Sequence, residues 1–194
     1  MRIFFTSDNH YFHDNIIKYC GRPFTQSQDM NAEMARRWNS SVEPDDIGVF
    51  VGDISAGLRK RTAELREIIQ NLNGKKILIR GNHDHQPNEW YLESGFLGVY
   101  DHLNLGGVLL CHYPVRAFAE RGVDPTRLGD YAHVIHGHVH ALGPNYDGHF
   151  NVAADRNDFM PWQYADVIPE DLREPFRESL EKLILNITEK KRTF

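Results

Sequence analysis

Short apolar runs in this sequence end repeatedly on aspartate, asparagine or histidine. Ile3-Phe4-Phe5 leads into Ser7-Asp8-Asn9-His10, Ile47–Val51 into Gly52-Asp53, and Lys76–Ile79 into Gly81-Asn82-His83-Asp84. Val108-Leu109-Leu110 leads into Cys111-His112, and Val134-Ile135 into His136-Gly137-His138-Val139-His140. Apolar runs without polar alternation predict strands covered on both faces. Open α/β sheets gather ligands beyond the carboxyl ends of their strands, so these polar tips are expected to converge. Of the 11 histidines, those at 10, 13, 83, 85, 112, 136, 138 and 140 fall in short clusters. Packing gives little reason for such clustering, because each buried imidazole would need its own hydrogen-bond partner.

The segments between the runs set the rest of the fold. Arg2–Thr6, Ile47–Val51 and Lys76–Ile79 are expected as strands. Asn31–Asn39 reads as a helix with Asp29 as a candidate N-cap. Thr62–Leu72 carries Leu65, Ile68, Ile69 and Leu72 at helical spacing and stops at Asn73-Gly74. Strand–helix–strand order predicts βαβ units and a partly parallel sheet. In the second half, Val99–Leu105, Val108–His112, His133–His136 and His149–Ala153 read as short strands. Turn residues at Asn104–Gly107 and Tyr146–Gly148 predict a second, more antiparallel sheet. Pro169–Lys191 is helical by pattern, with Pro175 expected to break it in two. The expected fold class is α/β, a four-layer αββα sandwich of two mixed β-sheets flanked by helices. With no repeat or Gly/Ser linker, one domain over residues 1–194 is expected, carrying a C-terminal helical segment at 169–191.

Composition narrows the setting. Two cysteines, Cys20 and Cys111, are too few for a disulfide framework and suit a reducing compartment. Met1–Asp8 holds too short an apolar run for a signal peptide, and no run reaches the roughly 18 residues of a membrane helix. A cytoplasmic protein with no membrane partner is expected. A net charge of −5 argues against tight duplex nucleic-acid binding.

The polar tips offer nitrogen and oxygen donors and almost no thiolate. Such a set suits two hard-to-borderline divalent cations better than one structural zinc. Two cations roughly 3.5–4 Å apart can clamp the attacking and leaving oxygens of an in-line displacement at phosphorus.

The motif order Asp8-x-His10, Gly52-Asp53, Gly81-Asn82-His83-Asp84, His112 and Gly137-His138-x-His140 resembles that of the calcineurin-like metallophosphoesterases. The resemblance covers residues 2–155 and points to the small bacterial, archaeal and phage members. It implies a dinuclear site in which Asp8, His10 and His140 hold one metal and Asn82, His112 and His138 the other. Asp53 would bridge both. The implied cofactors are two divalent ions, Mn²⁺ favoured, with Fe, Zn, Ni and Mg as alternatives. A metal-bridging hydroxide would attack phosphorus, and His83, beside the second metal, would protonate the leaving oxygen. Imidazole suits that task because it titrates near neutral pH. Asp84 would either orient His83 or cap its own turn.

The sequence also departs from the family pattern. Larger members carry an arginine shortly after Gly-Asp, where this chain has Ile54-Ser55-Ala56-Gly57. Arg59, Arg61 and Arg80 are nearby in sequence and read either as substitutes or, the favoured reading, as solvated or sheet-flanking charges; His13 and Arg80 are candidate substrate contacts. His136 is a core or supporting histidine, and Asp155–Asp158 is a candidate pocket rim. Tyr11, Phe12 and Trp38 are core residues or stacking partners for a nucleobase. Without the clamp arginine, a small or nucleotide-type phosphodiester is the expected substrate. The alternatives are a phosphomonoesterase of the same fold and a non-catalytic metal-binding scaffold for protein partners.

Overall fold

The computed structural model describes residues 1–56, 61–120, 124–142 and 148–192. Gly57, Arg59 and Tyr146 lie outside the described residues. In the first half, β1 (Ile3–Thr6) is followed by α1 (Asp14–Tyr19), α2 (Ser27–Ser41) and β2 (Ile47–Phe50). Then come α3 (Thr62–Asn71), β3 (Lys75–Ile79), α4 (Asn88–Glu93) and β4 (Phe96–Tyr100). The second half runs β5 (His102–Leu105), β6 (Val108–Cys111), α5 (Val115–Glu120), β7 (His133–His136) and β8 (His149–Asn151). It closes with β9 (Trp162–Gln163), α6 (Tyr164–Val167) and α7 (Glu170–Arg192).

Two sheets form, in the orders β4-β3-β2-β1-β9 and β5-β6-β7-β8. Side chains alternate across each strand, and both faces are buried. Ile3 and Phe5 of β1, Ile47 and Val49 of β2, and Ile77 and Ile79 of β3 pack with Val108, Leu110 and Ile135 of the second sheet. Phe4, Phe50 and Leu78, on the opposite face, pack under Met34, Trp38, Leu65 and Tyr91 of the helices. Leu109, Cys111 and Val134 form the outer face of the second sheet, with Leu128 and Val115 against it. The result is the α/β sandwich of two mixed sheets with flanking helices.

Four expectations are corrected. Val99–Leu105 is not one strand. It divides at Asp101 into β4, parallel to β3 in the first sheet, and β5, antiparallel to β6 in the second. The second sheet is mainly parallel, because β6, β7 and β8 all run the same way. α2 starts at Ser27, with Gln26 as N-cap, so Asp29 lies in the first turn. There its charge favours the positive end of the helix. Finally, α7 runs unbroken through Pro175. Proline inside a helix costs about 3 kcal/mol. Phe176 and Leu180 beyond it are fully buried between the sheets, and each such burial contributes about 1.5–3 kcal/mol. Together they outweigh the break.

Candidate metal centre

Asp8, His10, Asp53, His138 and His140 all adopt left-handed backbone, with φ of 55°, 52°, 55°, 71° and 50°. Each such residue costs about 1–3 kcal/mol and persists only where its surroundings impose it. Here the strand tips hold one another. The Asp8 amide donates to Gly52 O at 2.9 Å, His10 N to Asp53 O at 3.0 Å, and Gly137 N to His112 O at 3.0 Å. Glycine allows the close approach. A Cβ at Gly52 would land on His112 Nδ1, one at Gly81 on Asp53 Oδ1, and one at Gly137 on Asp8 Oδ2.

Two donor groups result. Ligand atoms of Asp8, His10 and His140 lie within 4.8 Å of one another, and so do those of Asp53, His112 and His138. Asp53 stands between the groups: its Oδ2 is 3.7 Å from His10 Nε2 and 3.3 Å from His112 Nε2. Asp8 joins the two sheets by accepting the His138 amide at 3.0 Å and the Ser7 hydroxyl at 2.6 Å. His112 Nδ1–H donates to Val51 O at 2.9 Å, leaving Nε2 facing Asp53.

The donors fit divalent cations. Both ring nitrogens of His10 and Oδ1 of Asn82 are buried with no hydrogen-bond partner. Unpaired buried polar atoms are costly, and cations at the two donor groups would satisfy one His10 nitrogen and Asn82 Oδ1. The set is imidazole, carboxylate and amide oxygen, the mixture that borderline divalent ions accept.

Electrostatics supports the same reading. Burial pushes His10 down to about 2, against the opposing charge of Asp53, so its imidazole is neutral and able to ligate. Burial raises Asp8 above the usual carboxylate range, the signature of an anion short of compensating charge. Burial also acts to raise Asp53, but the hydrogen bond and charge of His112 and the His83 amide hold it well below that range. For His112, burial acts downward and is overcome by Asp53 and Asp8, which push it up to about 9.

His83 N donates to Asp53 Oδ1 at 2.8 Å. Its ring lies 5.3 Å from His10, 6.5 Å from His13 and 6.4 Å from His85, so it borders the first donor group. Asp84 realises the turn-capping alternative: its carboxylate accepts Asp53 N at 2.8 Å, Ile54 N at 3.1 Å and Gly81 N at 2.8 Å. Arg80 donates to Asn88 and to the carbonyls of Asp84 and Gln86, and its guanidinium sits over Tyr91. It thus braces the loop carrying His83. His13 stands at the rim, 5.4 Å from the His10 ring and 6.3 Å from the exposed Tyr19.

Other candidates lie elsewhere. Tyr11 and Trp38 belong to the core, 1% and 4% exposed, so neither stacks a base. Phe12 packs against that core under Arg61. His136 is buried, with Nδ1 on Gly137 O, and burial lowers it to about 4.

One pair was not foreseen. Arg22, its side chain fully buried, grips Asp155, and Asp155 Oδ2 in turn holds His140 Nδ1 at 2.8 Å. Burial acts to raise the Asp155 carboxyl, but His140 and Arg22 hold it below its ordinary value.

Fold and site together define a phosphoesterase-type α/β sandwich with a histidine–aspartate metal centre at the strand tips. The model of the calcineurin-like phosphoesterases matches residues 1–120, and the chain belongs to that family. An uncharacterized protein of Methanocaldococcus jannaschii is 42% identical over 83 residues, 43% of this chain and 47% of that protein. The chain thus matches less than half of that relative's length. The gene 66 protein of Mycobacterium phage L5 is 30% identical over 71% of this chain and 76% of its own. The crystal structure of a protein of unknown function from Aquifex aeolicus superposes with a TM-score of 0.66 at 24% identity. It covers 86% of this chain and 97% of that one, and the likeness is one of fold. Among the described residues, no helix is long and apolar enough to cross a membrane.

Proposed function

We propose that this chain is a dinuclear metal-dependent phosphodiesterase acting on a small or nucleotide-type diester. The observation that carries the reading is the pair of donor groups with the Asp53 carboxylate between them, 3.7 Å from His10 and 3.3 Å from His112. Asp8, His10 and His140 would hold one divalent cation, and Asn82, His112 and His138 the other. Asp53 would serve both. Mn²⁺ is the favoured metal, with Fe, Zn, Ni and Mg as alternatives. Bound there, the cations supply charge neutralisation at the phosphoryl group and activation of water.

The remaining steps belong to the chain. His83 is placed beside the centre by its amide bond to Asp53, and would deliver a proton to the leaving oxygen. Asp84 keeps the Asp53 and His83 turns in register through its three amide bonds. His13 would meet the substrate at the rim, while Arg80 is spent on its own loop. Ile54, Ser55 and Ala56, directly after Gly52-Asp53, provide no cation for a second phosphate charge. That favours a diester, which carries one charge. The free cysteines suit a reducing compartment, and we place the protein in the cytoplasm.

The test is Mn²⁺-dependent hydrolysis of a p-nitrophenyl phosphodiester beside the matching monoester, with His83→Ala as control. Diester turnover lost in the variant supports the reading. Monoester preference reverses the substrate class. No turnover of either ester with two metals bound supports the scaffold instead.

A further inference from the structure

Arg22 stands outside both donor groups, yet four of its side-chain hydrogen bonds lead to the first, while one more reaches Met30 Sδ. Its Nη2 donates to Asp8 O at 2.7 Å and its Nη1 to Asn9 O at 2.9 Å. These carbonyls lie in the turn whose left-handed residues, Asp8 and His10, present two donors. Its Nε and Nη2 take the Asp155 carboxylate at 2.7 and 2.9 Å. Asp155 Oδ2 accepts His140 Nδ1 at 2.8 Å, turning His140 Nε2 to within 3.8 Å of Asp8 Oδ1. One guanidinium therefore ties the backbone of Asp8 and Asn9 to the third donor through Asp155, which lies 133 positions from Arg22 in sequence. The pair's side-chain hydrogen bonds end on Asp8, Asn9, Met30 and His140, whereas the ring of His112 is fixed by Val51 O.

Ligand atoms of Cys20, His140 and Asp155 also lie within 4.8 Å of one another. They do not make a third metal site, because Asp155 is already engaged by Arg22 and by the only His140 nitrogen on that side.

We propose that Arg22 and Asp155 are positioning residues for the first donor group alone, setting its metal affinity independently of the second. The inference rests on the dinuclear reading above. A carboxylate on the far nitrogen of a ligating histidine fixes its tautomer and raises its basicity, and loss of such a partner weakens metal affinity about 10–100-fold. Arginine is needed because its planar fork reaches carboxylate and carbonyls at once, which lysine cannot do.

The experiment is equilibrium dialysis of the metal-free full chain against Mn²⁺ alone, for wild type, Asp155→Asn and Arg22→Lys. Wild type is expected to take up two ions per chain. In Asp155→Asn one binding step weakens about 10–100-fold and the other is unchanged. Arg22→Lys, which keeps the buried charge, gives the same split at smaller size and carries the test if Asp155→Asn aggregates. A merely structural role would weaken both steps together. Equal weakening of both steps, or none, overturns the proposal. Wild type binding no Mn²⁺ overturns the dinuclear reading itself, and the role of Arg22 and Asp155 with it, before any variant is compared.

Discussion

His140, in the first donor group, is held at Nδ1 by the carboxylate of Asp155, whereas His112, in the second, is held at Nδ1 by the main-chain carbonyl of Val51. The same imidazole chemistry is thus anchored once by a side chain and once by a strand end. A carbonyl anchor comes with the sheet, and no substitution removes it without disturbing β2. A carboxylate anchor can be changed by one residue and strengthens the basicity of its histidine. Two sites with similar donors are therefore expected to respond differently to mutation, with Asp53 common to both.

The most damaging substitution is expected at that shared residue. Asp53→Asn should weaken both Mn²⁺ steps together and bring diester hydrolysis to background. Retention of one tight step would show that Asp53 serves only one flank. His83→Ala comes next, lowering turnover by roughly 10²–10⁴-fold while dialysis still counts two ions. Full activity in that variant would remove His83 from the proton step. Metal removal sharpens the comparison through stability. At free Mn²⁺ about 100 times Kd, each independent site adds about 2.7 kcal/mol, so chelation should lower Tm in two increments. Asp155→Asn should diminish only one of them, read by calorimetry over a Mn²⁺ series. The smallest effect is expected at Lys182, exposed on α7 and 3.9 Å from Glu178. Lys182→Ala should stay within about 0.5 kcal/mol and leave both steps alone. A loss there equal to that of Asp155→Asn would mean that dialysis is reporting misfolding.

The first three strands were readable to within one residue because each is an apolar run between turn residues and is buried on both faces. The division at Asp101 was not readable. Val99-Tyr100 and Leu103 flank the polar pair Asp101-His102, which also suits solvent-facing positions of one strand, and periodicity carries no information about sheet membership. The parallel course of β6 to β7 was hidden for a related reason. Among the described residues its crossover holds the short α5 and a 3-10 turn at Pro125–Leu128, without the long amphipathic repeat that marks a βαβ unit. Strand-tip positions predicted that polar tips converge, while the grouping of Asp8, His10 and His140 came with the family resemblance; their ligand atoms lie together. That His83 borders His10 was not legible, since its side depends on how the Gly81–Asp84 turn is folded. Arg22 carries no local signal, and Asp155 reads as a pocket-rim candidate without its link to Arg22 or His140. Neither shows that link until the ends of β1 and β8 are brought side by side, as Ser7 and Ala153 are.

The span of that ion pair has a consequence for the order of events in synthesis. Neither donor group can close before the segment containing His138 and His140 has been made, and the first stays unbraced until Asp155 follows. Contacts so distant along the chain form late, because closing the intervening loop must precede any gain from the contact. A nascent chain emerging from the ribosome therefore exposes its early aspartates and histidines without a competent cage. On the proposed dinuclear reading, metal capture would be one of the last acts of maturation, and the ions loading the centre would be those present around the finished fold.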